Sequence, residues 1–66
     1  MTIHINGEAR DVKSSRTVAE LVAEFELPGP ALLIEHNGVA LHRSEWTEIL
    51  LAEGDRLELL RVVAGG

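Results

Sequence analysis

Few residues in this 66-residue chain have side chains that could do chemistry. There is no cysteine, so there is no thiolate nucleophile, no persulfide and no thiolate metal ligand. His4, His36 and His42 match no metal-ligand spacing, and His4 falls on the solvent parity of an extended segment. All three read as surface histidines, and no metal site is expected. Ser14, Ser15 and Ser44 lie in loops without the context of a nucleophile elbow. Gly29 lies between Pro28 and Pro30 and is followed by a strand pattern, which is not a phosphate loop. The acidic residues are dispersed, so a paired-carboxylate site has little support, and no catalytic residue is expected.

What remains is the end of the chain, Val62-Val63-Ala64-Gly65-Gly66. Two glycines after an apolar run have no side chains to obstruct a narrow slot and take dihedrals closed to other residues. At the tip is one chemical group, the α-carboxylate of Gly66. Such a group titrates at about 3.3–3.7 and is ionised at neutral pH. A carboxylate is a poor electrophile until it is joined to a leaving group. A partner enzyme using ATP would make the acyl adenylate, and an outside sulfur or amine nucleophile would displace AMP. The alternative for these residues is an idle end.

Composition agrees with a scaffold that leaves catalysis to others. The chain is one small domain, residues 1–66, with the apolar content of an ordinary globular fold, 45%. A domain this small rarely has room for a walled pocket. The net charge of −5 opposes nucleic-acid binding and suits a basic partner surface or simple solubility. Met1-Thr2-Ile3-His4 has neither the basic flank nor the apolar segment of a signal peptide, and the apolar runs fall short of a membrane span. The expected location is cytoplasmic, with no membrane partner and no bound cofactor.

The elements that must position the end are legible in order. Thr2 to Ile5 alternates as a half-buried strand, and Asn6-Gly7 is a strong hairpin signal. The return strand runs from about Glu8 to Lys13. A two-residue turn places Glu8, Arg10 and Val12 on the face of Ile3 and Ile5, making this an edge strand with little core, whereas a longer turn would change the register. Thr17 and Glu20 form a capping box for a helix of about Val18 to Glu26. Val18, Leu21, Val22 and Phe25 make its apolar stripe, and Glu20 and Glu24 its opposite face. Leu27-Pro28-Gly29-Pro30 is expected to end it.

Ala31 to His36 reads as a third strand, Asn37-Gly38 as a second turn and Val39-Ala40-Leu41 as a brief extended piece. Ser44 is expected to cap a single helical turn that carries Trp46 inward. After the turn at Glu53-Gly54-Asp55, Arg56 to Leu59 alternates as the final strand. If Leu57 and Leu59 face the core, Leu60 and Val62 point the other way, as a docking patch or beneath a covering segment.

This order resembles the ubiquitin-like β-grasp fold, an α+β architecture. It comprises a mixed sheet of four to five strands, one helix packed across it and a projecting tail, here residues 61–66. More narrowly, the chain is similar to the sulfur carrier proteins of thiamine biosynthesis, the ThiS family. The resemblance lies in Thr17-Val18-Ala19-Glu20-Leu21, Ile34-Glu35-His36-Asn37-Gly38 and Arg43-Ser44-Glu45-Trp46. It lies above all in Glu53-Gly54-Asp55-Arg56-Leu57-Glu58-Leu59 leading to Gly65-Gly66. One departure is His42, where the family often carries proline.

The resemblance implies that Gly66 is adenylated by an E1-like, ThiF-type enzyme with ATP and converted to a thiocarboxylate. The sulfur would come from cysteine through a desulfurase and pass to a ThiG-type thiazole synthase. Gly65 would give clearance for threading, and Leu60, Val62, Val63 and Ala64 would contact the partners. Three alternatives remain on the sequence alone. One is the same chemistry in molybdopterin, cysteine or tRNA thiolation. Another is a ubiquitin-like modifier joined to lysines. The third is a plain binding domain using the Glu8–Lys13 edge.

Overall fold

A computed structural model describes residues 1–27 and 29–61, with Pro30 as backbone only. It contains β1 (Thr2–Ile5), β2 (Glu8–Asp11), α1 (Val18–Glu24), β3 (Leu32–His36), β4 (Val39–Leu41) and β5 (Arg56–Arg61). Short 3-10 turns cover Gly29–Ala31 and Arg43–Glu45. The five strands form one sheet in the order β2-β1-β5-β3-β4. β1 and β5 run parallel, and the other neighbours are antiparallel. One helix covers one face, which is the β-grasp arrangement.

Both hairpins close on Asn-Gly as expected. Asn6 and Asn37 take φ of 50° and 49°, followed by Gly7 and Gly38 at 84° and 87°. These are the left-handed pairs that two-residue turns demand. The first turn sets Ile5 opposite Glu8 and Ile3 opposite Arg10. β2 is therefore an exposed edge from Glu8 to Asp11, and Val12, just past it, is buried. Arg10 does not sit idle on the core parity: its guanidinium lies 5.1 Å from the centre of the Phe25 ring. That cation–π contact shields the ring at the sheet edge.

Thr17 caps α1 through both bonds of the capping box, its Oγ1 accepting from Glu20 N–H at 3.1 Å. Val18 and Leu21 are wholly buried, with Val22 and Phe25 packed beside them. Glu24, placed by sequence on the idle face, instead accepts hydrogen bonds from Lys13 N–H, Ser15 N–H and the Ser15 hydroxyl. It ties the loop after β2 to the helix.

The helix stops earlier than expected and for another reason. Leu27 N–H donates to Val22 C=O at 3.0 Å and Glu26 N–H to Ala23 C=O at 3.1 Å, with Glu26 at φ 52°. This is a Schellman stop, which satisfies the last carbonyls before the prolines are reached. Pro28, part of the expected breaker, lies outside the described residues.

Residues 46–51 lie alongside the helix start. Ala19 N–H donates to Trp46 C=O, Val18 N–H to Ile49 C=O and Leu51 N–H to Arg16 C=O. Trp46 is buried, as expected, but Ser44 is not the cap of the preceding turn. Instead Glu45 accepts from His42 N–H at 2.7 Å. His42 has φ −72°, the value a proline ring fixes, so the departure from proline costs no geometry and adds this hydrogen bond. Arg43 lies over the Trp46 ring at 4.6 Å and donates to Gly29 C=O.

Glu26 is a β-carbon residue in the position glycine favours. A left-handed residue costs about 1–2 kcal/mol, offset in part by the greater unfolded-state freedom of glycine. Glu26→Gly is expected to raise stability by about 0.5–1 kcal/mol, near 2–8 °C in Tm for a domain this size. Thermal unfolding by circular dichroism checks it, and an unchanged or lowered Tm contradicts it.

Candidate functional site

The candidate site is the run from β5 to the end of the chain, so β5 is where it is built. β5 is the central strand, flanked by β1 and β3. Leu57 is fully buried and Leu59 half-buried against the core, while Glu58 and Leu60 face the open side of the sheet. Leu60 is 61% exposed and stands directly opposite Leu33, 55% exposed. Of the two sequence readings for Leu60, the exposed patch is therefore the one realised, since no described residue covers it. The next pair on the same face is Glu35 opposite Glu58, two like charges whose direct opposition is unfavourable. An apolar pair beside an acidic pair thus lies on the uncovered face. Leu33 was missed by sequence because a buried-looking run, Ala31 to His36, hid its alternation.

Arg61 still pairs with Leu32, so β5 takes in the first residue of the expected 61–66 tail. Val62, Val63, Ala64, Gly65 and Gly66 lie outside the described residues. Arg61 is thus the last described point before them.

The start of β5 is fixed by a polar cluster. Asp55 accepts from His36 Nε2 at 2.8 Å, from Asn37 Nδ2 at 3.2 Å and from Ala52 N–H at 2.9 Å. His36 is consequently not the free surface residue expected; its side chain is only 19% exposed. A carboxylate partner nineteen positions downstream left no mark in the local sequence. Burial pushes the Asp55 carboxyl up, but its hydrogen bonds from His36, Ala52 and Asn37, with the attraction of His36, outweigh burial and hold it below the ordinary value. Glu24 is also lowered, by the Ser15 hydroxyl first and then the Lys13 N–H.

Other sequence candidates do not converge. His4 lies on the open face beside Arg56, and His42 lies before the Arg43–Glu45 turn. Among the described residues no three His, Asp or Glu side chains gather as a metal site, and no cavity opens. No described helix is long and apolar enough to cross a membrane.

Comparison with known proteins decides the family. The ThiS family model matches residues 3–66. The chain belongs to the ThiS family. The sulfur carrier protein ThiS of Escherichia coli is 27% identical over 66 residues, spanning all of both chains. A thiazole synthase of Paramagnetospirillum magneticum is 30% identical over the whole of this chain, which spans only 20% of that protein's length. A thiazole synthase of Magnetococcus marinus is matched in the same way, at 26% identity and 20% of its length. The crystal structure of the thiamine biosynthesis protein ThiS from Geobacter metallireducens superposes with a TM-score of 0.86 at 26% identity, each chain covered in full. These ThiS-family likenesses cover the sheet, the helix and the terminal stretch together.

Two outcomes follow from the site. Leu60→Ser removes an exposed side chain and is expected to change stability by no more than about 0.5 kcal/mol, whereas Leu57→Ala costs about 2–5 kcal/mol. Urea unfolding of both variants checks the contrast, and equal losses contradict it. The second concerns pH. A lowered carboxyl stabilises the fold above its unfolded value, about 3.9 for Asp and 4.3 for Glu, and that stability is lost as pH falls through the folded value. The wild type is expected to lose Tm progressively below about pH 4.3, and Asp55→Asn to start lower at pH 7 and lose less on acidification. Parallel pH curves for the two proteins would contradict the assignment.

Proposed function

We propose that this chain carries sulfur for the thiazole moiety of thiamine, as a substrate of other enzymes and not as a catalyst. The observation that carries the reading is the placing of β5. A ThiS-family chain, matched through Gly66, runs its last strand along the centre of the sheet to Arg61 with Leu60 exposed on the uncovered face. From Arg61 the sequence continues Val-Val-Ala-Gly-Gly.

The chemistry is that of an unactivated carboxylate. A ThiF-type enzyme joins the Gly66 carboxylate to the α-phosphate of ATP, and pyrophosphate leaves. The acyl adenylate is then open to a sulfur nucleophile derived from cysteine through a desulfurase. The carbonyl–oxygen bond to AMP breaks and a carbonyl–sulfur bond to the persulfide forms. A thiol then attacks the sulfur–sulfur bond of this acyl disulfide, leaving as a disulfide, and the thiocarboxylate results. ATP is bound by the partner and no cofactor by this chain. Gly65 lets the end thread the partner's site. Leu60, Val62, Val63 and Ala64 supply apolar contact. The acceptor of the sulfur is a ThiG-type thiazole synthase. Two proteins named thiazole synthase contain a segment like this whole chain, over a fifth of their length, which supports a carrier and a synthase working together.

The test is to incubate the protein ending at Gly66 with a ThiF-type enzyme, ATP, cysteine, a desulfurase and a thiol reductant, and to weigh it intact. Replacement of one oxygen by sulfur adds about 16 Da, and the chain lacking Gly65 and Gly66 gains nothing. Absence of ATP-dependent pyrophosphate release, or a branched peptide on a lysine in place of the sulfur, would sink the proposal.

A further inference from the structure

β5 has an asymmetry at its outgoing end. On one flank, β3 accompanies it to the last described residue, with Leu60 opposite Leu33 and Arg61 opposite Leu32. On the other flank, β1 accompanies it only through His4 opposite Arg56 and Ile5 opposite Leu57. There the Asn6-Gly7 turn takes the chain away into β2. The main-chain groups of β5 that face β1 belong to odd-numbered residues: His4 N–H donates to Asp55 C=O at 2.8 Å and Asn6 N–H to Leu57 C=O at 2.9 Å. Leu59 is next in that series, and the strand that would pair with it has already turned off.

The Asn6 side chain takes the missing place. Its Oδ1 accepts from Leu59 N–H at 2.8 Å and its Nδ2 donates to Leu59 C=O at 3.3 Å. A carboxamide carries one donor and one acceptor group at the spacing of a peptide unit, so it prolongs the parallel ladder by one residue without a strand. The residue is doubly constrained. It must adopt φ 50° for the turn, which asparagine tolerates, and it must offer both a donor and an acceptor. Aspartate meets the first requirement and fails the second, placing a carboxylate oxygen against the Leu59 carbonyl. At the incoming end of β5, Asn37 makes a related contact from the opposite flank. There Arg56 N–H donates to Asn37 Oδ1 at 2.8 Å, and Asn37 N–H donates to Arg56 C=O at 2.8 Å. At that end β1 is still alongside, with His4 opposite Arg56, and β3 has just turned off after His36 opposite Leu57, so the Asn37 main chain shares the contact. At Leu59 the side chain supplies both the donor and the acceptor by itself, immediately before exposed Leu60.

We propose that Asn6 is a positioning residue for the carrier end: its carboxamide clamps Leu59 and so sets the direction in which the chain leaves Arg61 toward Gly66. This rests on the sulfur-carrier reading above. Asn6 touches no reacting atom. It fixes the last anchor on one flank of β5, so that the segment delivered to a partner's site starts from a defined point and heading. Without it, β5 is held past Leu57 on the β3 side alone and swings about that ladder. Docking through Leu60 survives, but fewer docked complexes present the carboxylate correctly.

Two variants separate this from a role in folding. Asn6→Gly keeps a turn that glycine forms readily and removes the clamp, while Asn6→Asp keeps the acceptor and removes the donor. Each is assayed as a substrate for ATP-dependent pyrophosphate release by a ThiF-type enzyme, with amide hydrogen exchange measured on the free proteins. The clamp predicts faster exchange at Leu59 N–H in Asn6→Gly, which loses the acceptor, and in both variants unchanged exchange at Leu57 and Ile34 and a kcat lowered about tenfold or more while KM for the carrier stays within about twofold. Leu60→Ser shows the reverse split, a raised KM with kcat retained. Should Asn6→Asp fail to fold, Asn6→Gly alone decides. The clamp is overturned if wild type is activated and the Asn6 variants match its kcat, if Leu59 exchange does not change in Asn6→Gly, or if core amides loosen along with it. A wild type that is not activated at all removes the carrier reading and this one together.

Discussion

The parallel pairing of β1 with β5 joins the first strand of the chain to the last. His4 N–H to Asp55 C=O and Asn6 N–H to Leu57 C=O bridge about fifty residues, and every other strand is placed relative to that ladder. Two parallel strands need a long crossover between them. Here the crossover consists of β2, α1, β3, β4 and the 46–51 segment. Because β5 is inserted between β1 and β3, its buried residue Leu57 sees core from both halves of the sheet. β5 is thus held between two neighbouring strands, a firm base for the residues that follow Arg61.

That central position also explains how polar groups are distributed. Strand ends in the middle of a sheet leave main-chain groups that water reaches poorly, so they must be paired within the protein. At the entrance to β5, Asn37 Oδ1 does this for Arg56 N–H, while the Asp55 carboxylate takes His36, the Asn37 side chain and the Ala52 N–H. At the exit, Asn6 does it for Leu59. Both hairpin turns thus serve a second purpose beyond reversing the chain. The asparagine that tolerates a positive φ is also the side chain that reaches across to β5.

Much of the fold was legible because local rules governed it. Asn6-Gly7 fixed a two-residue turn and hence the Ile5–Glu8 register, and Thr17 with Glu20 marked the helix start. Leu57 and Leu59 against Leu60 showed on which side the strand would leave apolar surface. What escaped depends on partners distant in sequence or on main-chain geometry. His36 looked like a surface histidine because Asp55 lies in a different turn, and Glu24 looked idle because the loop that uses it precedes the helix. The Schellman stop at Glu26 was obscured by the stronger-looking signal of Pro28 and Pro30, and Glu is not the residue that signals a left-handed stop. Leu33 was hidden within a run that reads as wholly buried until its pairing with Leu60 is known. The terminal residues named for the proposed chemistry lie outside the described residues, and the sequence singles them out because no side chain in the chain rivals them.

The open face adds a constraint of its own. Glu35 opposite Glu58 works against the sheet, and a domain of this size has little stability to spare. An exposed Leu33–Leu60 pair is likewise a liability in a free protein, because apolar surface next to a sheet invites association. Each cost has a use if a partner covers that face. Apolar surface supplies contact area, while the acidic pair admits only a partner that answers it with basic charge and keeps two copies of the same chain apart. Like charges on the uncovered face would then do for the carrier what a capping helix does for the other face, by limiting what can sit there. If the chain is handed between enzymes as proposed, it must bind each of them and release it, and a small apolar contact gated by charge then suits it better than a large dry interface.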